Sequence, residues 1–310
     1  MMLEIKGLVK RFGSFTAVNG LDMMVEKGSI FGFVGPNGAG KTTTMKIMCG
    51  LLKADSGNIF VDRSDILKKS SDIRERIGYM PDFFGVYDDL KVKEYMDFYE
   101  GAYYIPYAQR GAITDRLLDM VNLADKKEVY VDSLSRGMKQ RLCLARSLVH
   151  DPDILVLDEP ASGLDPRARM EMKNILKRLS DDGKTIIISS HILPELDQMC
   201  SHVGIVEKGK MVAQGTVEEI SAVVSGKTVI NIAVLDKKEE LFRVLNLDPF
   251  CADIKLTDMG AEVAFSGKET DLADLLGRIV MEKIPVISFD KKRYDLENVF
   301  MEVTGGGTDA

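Results

Sequence analysis

Several things are missing from this 310-residue chain. No uninterrupted apolar stretch is long enough to span a bilayer, which takes roughly 20 residues. Three histidines form no metal-ligand pattern. The four cysteines, Cys49, Cys143, Cys200 and Cys251, are scattered without paired spacing. They read as small apolar residues in a reducing cytosol rather than as a disulfide framework. Basic residues are in the minority, 41 Lys and Arg against 48 Asp and Glu, for a formal net charge of −7. That argues against a general nucleic-acid footprint, though not against a local patch. The opening "MMLEIKGLVK" alternates and carries Glu4 early, unlike a signal peptide. What is present is an ordinary soluble globular composition, 45% hydrophobic and 29% charged. The length suits one large domain or two modest ones.

Periodicity gives the organisation. Leu3 to Phe12 alternates as a half-buried strand, and "LDMMVEKGS" is expected to be another. The apolar "SIFGFVG" follows, then a helix from about Lys41 to Gly50. Residues 91–104 place Val92, Tyr95, Met96 and Tyr99 on one helical face; residues 113–121 do the same with Ile113, Leu117 and Val121. Roughly 88–132 is therefore a helical insertion. The chain then alternates helix 135–149, strand "ILVL", helix 167–179, strand "TIIIS", helix 193–200 and strand "VGIVEKG". Such alternation predicts a mainly parallel α/β sheet covered on both faces. Composition shifts near "SAVVSGK", with the boundary expected at 224/225. From Thr228 the pattern reads βαββαβ plus a last helix, a ferredoxin-like order, with Asp258-Met259-Gly260 as a hairpin turn. "GGGTDA", residues 305–310, reads as a disordered tail.

The strongest motif is "GPNGAGKTT": Gly35, Pro36, Asn37, Gly38, Ala39, Gly40, Lys41, Thr42 and Thr43. It follows an apolar strand and opens a helix, the context in which G-x-x-x-x-G-K-[ST] binds nucleotide phosphates. Glycines let the backbone wrap a phosphate, and a helix start supplies N–H groups and positive potential. Lys41 is expected to reach the β- and γ-phosphates of ATP, and the Thr42 hydroxyl to ligate Mg²⁺. The competing reading is a glycine-rich turn with an incidental lysine. "ILVLDEP" ends a buried strand in two acids. Asp158 is placed to hold Mg²⁺ through water, leaving Glu159 to polarise the attacking water. The alternative is a solvated acidic pair, which a neighbouring phosphate loop disfavours. His191 follows "IIISS" at another strand end, where it could reach the γ-phosphate; a satisfied surface or core histidine is the alternative.

"VDSLSRGMKQRLCLARSL" presents a second helix mouth, with Ser135 as cap and Gly137 inside the first turn. One nucleotide site has no evident need for two phosphate grips. Either this is simply a capped helix with Met138, Leu142 and Ala145 toward the core, or it grips a second phosphate. Capping and anion binding use the same N–H groups, so both can hold.

Taken in order, these motifs resemble the nucleotide-binding subunit of ATP-binding-cassette (ABC) transporters over about residues 2–222. "LSRGMKQR" matches the family's signature, "ASGLDP" with Asp165 the loop after the catalytic glutamate, and "SSHILPE" the switch histidine. "YMPD" sits where a loop facing the membrane subunit usually carries glutamine, and Phe12 in "RFGSFTAV" where an aromatic stacks on adenine. The resemblance implies a P-loop NTPase cassette over 1–224 with an antiparallel β subdomain and a helical subdomain at about 88–145; the βαββαβ pattern adds an α+β accessory domain at 225–304. It implies head-to-tail pairing of two cassettes, with Ser135 and Gly137 serving the neighbour's ATP. It also implies Asp165 and Asp82 in dimer contact and coupling, and a transmembrane permease as partner. The protein would sit on the inner face of the plasma membrane through that permease, with no nucleic acid involved.

Four positions depart from the family pattern. Asp82 replaces glutamine, and could approach Mg²⁺ through water or be only a turn residue after Pro81. Arg136 replaces the first signature glycine, and Met138 a glutamine. Phe12 replaces the commoner tyrosine, with Phe15 as competitor and core burial as the alternative for both. Phe83, Phe84 and Tyr87 are candidate permease contacts. The tail "YDLENVFMEVTG" resembles efflux cassettes and suggests ABC-2-type export. A soluble ABC ATPase of translation or DNA repair is the rival reading. It is disfavoured by a single cassette and by the lack of sustained heptads. An importer cassette is a third reading, disfavoured by the helical content of 236–304.

Overall fold

The computed structural model describes residues 2–67, 75–83, 85, 89–190, 193–197, 199–216, 219–220, 228–291 and 300. The chain divides into two compact units, Met1–Thr216 and Val217–Ala310.

In the first unit, β1 (Leu3–Phe12), β2 (Phe15–Val25), β4 (Ser56–Val61) and β5 (Ser64–Asp65) make an antiparallel sheet in the order β2-β1-β4-β5. A second sheet orders β10 (Lys210–Gly215), β9 (His202–Glu207), β3 (Ile30–Val34), β8 (Thr185–Ser190), β7 (Ile154–Asp158) and β6 (Ile77–Met80). All its pairings are parallel except β9 with β10. The apolar runs IFGFV, ILVLD and TIIISS are buried at every residue, as expected of strands covered on both faces. Helix α1 (Lys41–Met48) turns Met45, Ile47 and Met48 into that core, each at 0% exposure. Fully burying such a side chain contributes roughly 1.5–3 kcal/mol.

Strand β2 begins six residues before the expected "LDMMVEKGS". Phe15 pairs with Phe12 directly across the Gly13-Ser14 turn, so hairpin pairing extends the strand through "FTAVNG". Strands β4, β6 and β10 escaped the sequence reading. They are short, and pairing with other strands, distant for β4 and β6 and across a tight turn for β10, fixes them more than local pattern does.

The helical insertion contains α2 (Val92–Ala102), α3 (Tyr107–Met120) and the signature helix α4 (Arg136–Ser147). Val92, Tyr95 and Met96 are buried as expected, but Glu100 is fully buried while Tyr99 is only half-buried. Thr114 donates to Glu100 Oε1 at 2.8 Å, Oε2 has no hydrogen-bond partner, and burial raises the carboxyl's pKa. Arg141 on α4 donates to the carbonyls of Val121 (3.0 Å) and Asn122 (3.1 Å) after α3. The same residue pairs with Glu171 on α5 (Pro166–Asp181). Helix α6 (Leu193–Asp197) precedes β9.

The second unit runs β11 (Thr228–Val234), α7 (Lys238–Leu247), β12 (Cys251–Thr257), β13 (Gly260–Phe265), α8 (Glu269–Met281) and β14 (Val286–Lys291). Its sheet order, β12-β13-β11-β14, is antiparallel throughout. This is the βαββαβ, ferredoxin-like arrangement that the sequence predicts. Ile230, Ile232 and Val234 alternate into a core with Leu241, Leu245, Leu275 and Ile279. At the expected hairpin turn a side chain on Gly260 would meet the Ile232 carbonyl at 2.1 Å, so the close approach admits only glycine. The expected last helix lies outside the described residues apart from Phe300, and so do the tail and the 224/225 boundary.

Candidate functional site

Parallel pairing brings the chemistry to one edge. Val34 is in register with Ser190, Ser189 with Asp158, and Met80 with Leu157. The segments leaving β3, β7 and β6 therefore emerge side by side at the carboxyl ends of the strands, where α/β folds bind ligands. A cavity of about 430 Å³ opens there. Its wall combines Asn37, Gly38 and Gly40 to Thr43 with Asp82, Asp158, Glu159 and Ser162, closed by Phe12, Phe15 and Ala17.

The phosphate loop has the conformation its glycines allow. Gly38 and Gly40 have φ of 81° and 101°, the left-handed region that favours glycine. A Cβ on Gly40 would meet the Ala17 carbonyl at 2.4 Å, and one on Gly35 the Val206 carbonyl at 2.3 Å. No side chain caps α1. Lys41, 8% exposed, donates to the carbonyls of Gly35 (2.6 Å) and Pro36 (3.1 Å). Burial lowers its pKa, and the charges of Glu159 and Asp158 partly offset that. Gly35, Pro36 and Ala39 are not part of the cavity wall: the first two turn carbonyls to Lys41, and Ala39 is buried.

Asp158 is 2% exposed; its Oδ1 accepts from Ser189 Oγ at 2.5 Å, and its buried Oδ2 has no hydrogen-bond partner. Glu159 is half-buried with φ 53°, a left-handed conformation costing about 1–3 kcal/mol for a non-glycine residue. Its N–H is held by Ser189, through the carbonyl at 3.2 Å and the hydroxyl at 3.1 Å. That strain turns the chain sharply after the strand and sets the glutamate at the cavity wall. Among the described residues no group of three or more His, Cys, Asp or Glu could hold a metal unaided. The donors present, the Thr42 hydroxyl and the orphaned Asp158 oxygen, fit an oxygen-seeking Mg²⁺ that shares its shell with phosphate and water.

Exposed Asp82 reaches the same wall because β6 ends beside β7. Phe12 and Phe15 are 50% and 60% exposed, which removes core burial as an account of either. Ser162 and Ser189 escaped the sequence reading as site residues, although both stand inside motifs it singled out, "ASGLDP" and "IIISS". Ser135 and Gly137 do not line this cavity. Exposed Ser135 caps α4, accepting from Met138 N at 3.3 Å. Gly137 is buried, and a Cβ there would lie 3.0 Å from that of Ala168. Asp165 caps α5, accepting from Ala168 N at 2.9 Å. Phe83 is 90% exposed, while His191, Phe84 and Tyr87 lie outside the described residues. Among the described residues no helix is long and apolar enough to cross a membrane.

Known proteins share both the sequence and this architecture. Residues 18–162 match the ABC transporter family. A Nod factor export ATP-binding protein I from Burkholderia lata is 36% identical over 98% of this chain and 97% of its own. The linearmycin resistance ATP-binding protein LnrL of Bacillus subtilis is 29% identical over 98% of each chain. The ADP conformation of MJ1267, an ATP-binding cassette of an ABC transporter, superposes with a TM-score of 0.65 at 26% identity, covering 70% of this chain and 92% of that one. A glycine-wrapped phosphate loop facing an Asp-Glu pair, in a chain this similar over nearly its whole length, has one account: the chain belongs to the ATP-binding subunits of ABC transporters, the ATPases coupled to transport.

Proposed function

We propose that this subunit pairs with a second cassette on ATP and powers export through a separate permease of the ABC-2 type. In this reading the loop from Gly35 to Thr43 cradles the phosphates, and Lys41 leaves its two carbonyl partners for the β- and γ-phosphates. The Thr42 hydroxyl and Asp158 would hold Mg²⁺, which would supply charge neutralisation at the phosphates. Glu159 orients and deprotonates the attacking water, a role contributing about 10²–10⁴ in rate. His191 approaches the γ-phosphate. Phe12, with Phe15 beside it, stacks on the base. Ser135 and Gly137 contact the nucleotide of the neighbouring copy, Asp165 stands at the pairing face, and Asp82 links the site to the permease. ATP touches two subunits when paired and one when apart, so it favours pairing by that difference, and hydrolysis releases it.

The observation that carries this reading is the division of the grips: one cavity gathers Lys41, Thr42, Asp158 and Glu159, while Ser135 lies outside it in the same chain. The names of the two relatives, one a Nod factor exporter and one a linearmycin resistance protein, support export. Location at the inner membrane face follows from the permease alone. The test is a structure of Glu159→Gln with Mg²⁺ and ATP. Ser135 within hydrogen-bond reach of the partner-bound γ-phosphate is expected; Ser135 far from every terminal phosphate in all assemblies refutes the pairing. Native-membrane purification is expected to bring down an integral protein, and its absence refutes the permease.

A further inference from the structure

Within one chain, the start of the signature helix is fastened to the loop that follows Glu159. That loop, residues 160–165, runs from the end of β7 to the start of α5. Three side chains hold it. Arg169 donates twice to the Leu164 carbonyl, each at 3.0 Å. Gln140, one turn into the signature helix, donates to the Ser162 carbonyl at 3.2 Å. The guanidinium of Arg136 lies against Gly163 so closely that a Cβ there would stand 2.4 Å from its Cζ. Gly163 has φ 66°, a conformation that favours glycine, and the arginine occupies the space a side chain there would take.

The ends of this clasp are the parts that matter. Ser162, adjacent to Gly163, lines the nucleotide cavity. Ser135, adjacent to Arg136, is the exposed cap of α4. Gly163 adjoins Ser162 in the cavity wall and touches the guanidinium of Arg136, whose side chain leads back to the residue after Ser135, so a displacement at Ser162 has a contact route to Ser135. A planar, weakly hydrated guanidinium suits packing on an exposed glycine peptide; a lysine ammonium, compact and strongly hydrated, does not.

We propose that Arg136 is a positioning residue: by packing on Gly163 it ties the chain's own nucleotide cavity to the Ser135 mouth it presents to a second copy, so that occupancy of one site sets the geometry of the grip on the other. This rests on the pairing reading above. The arginine acts through Gly163 and Ser162, not by touching the neighbour's phosphates.

The test uses the full chain in the Glu159→Gln background, measuring by sedimentation the Mg²⁺-ATP concentration needed for half-maximal pairing. A fluorescent ADP analogue reports binding to the single subunit. Arg136→Ala is expected to raise the ATP requirement about tenfold while ADP affinity stays within about twofold. Arg136→Lys, which keeps the charge, is expected to remain at least about fivefold impaired. Gly163→Ala displaces the guanidinium, and the double variant Arg136→Ala/Gly163→Ala is expected to be no worse than the worse single one, because both break one contact. Three results overturn the inference: Arg136→Ala pairing like its parent, full rescue by lysine, or additive effects in the double variant. Failure of the Glu159→Gln parent itself to pair on ATP refutes the reading beneath it, and the inference with it.

Discussion

Helices α1 and α4 both start with a small cluster of glycine and hydroxyl residues, yet the fold provisions the two mouths differently. At α1 the capping position is Gly40, left-handed and without any side-chain cap, and the adjoining cavity is walled by acids and a buried lysine. At α4 the cap is Ser135, whose hydroxyl already accepts from Met138, and Gly137 is spent on close packing against Ala168. The first mouth leaves its N–H groups to a ligand and is complete only with one. The second is already capped by Ser135, and a phosphate gripped there would share the capped N–H groups. The same residue types thus make a mouth open onto a resident site in one place and a capped, exposed mouth in the other.

That contrast can be broken or sharpened by substitution. The largest effect is expected at the resident site: Glu159→Gln lowers steady-state ATP turnover about 10²–10⁴-fold with nucleotide binding retained. A phosphate-release assay beside equilibrium binding checks it. Lys41→Ala removes both the phosphate ligand and the two donations that brace the loop, so ATP affinity by calorimetry falls at least about tenfold. At the capped mouth, Ser135→Asp keeps a good cap but would set a negative charge where, in the proposed pairing, the neighbour's phosphate arrives. ATP-dependent pairing is lost while the melting temperature holds. Ser135→Ala instead loses the cap and costs about 1 kcal/mol of stability in urea unfolding.

The smallest effect concerns the helical insertion. The folded pKa of Glu100 lies above its unfolded 4.5, raised first by burial. The fold therefore favours the protonated acid, and stability falls as pH rises from 4.5 through the folded pKa. Glu100→Gln retains an acceptor for Thr114 and removes the buried charge. It is expected to raise the melting temperature at pH 7 and to make little difference at pH 4.

Much of the fold was legible where local pattern and tertiary environment agree. The buried runs IFGFV, ILVLD and TIIISS have a single sensible reading, and so do the alternating Ile230, Ile232 and Val234. Strand β2 was read six residues short because its first half is held by a cross-hairpin register, not by its own periodicity. The burial of Glu100 was not legible, because nothing local announces that Thr114, fourteen positions away, will accommodate a buried carboxyl. At the site, the motif residues were legible because phosphate chemistry fixes their types and spacing. Ser162 and Ser189 were not, since a serine in a loop or at a strand end carries no signal until its neighbours are known.

The nucleotide cradle is identified by its own residues, because a glycine loop between an apolar strand and a helix start has few other physical uses. The βαββαβ order of the second unit is legible in the same way, since two hydrophobic periods alternate there without ambiguity. That Asp158 is held by Ser189, that Glu159 stands on a strained turn, and that Arg136 packs on Gly163 became visible in the folded chain alone. Those outcomes depend on which strands lie side by side and how closely two backbones approach. Such quantities arise from packing segments far apart in the chain, and no local run of residues encodes them.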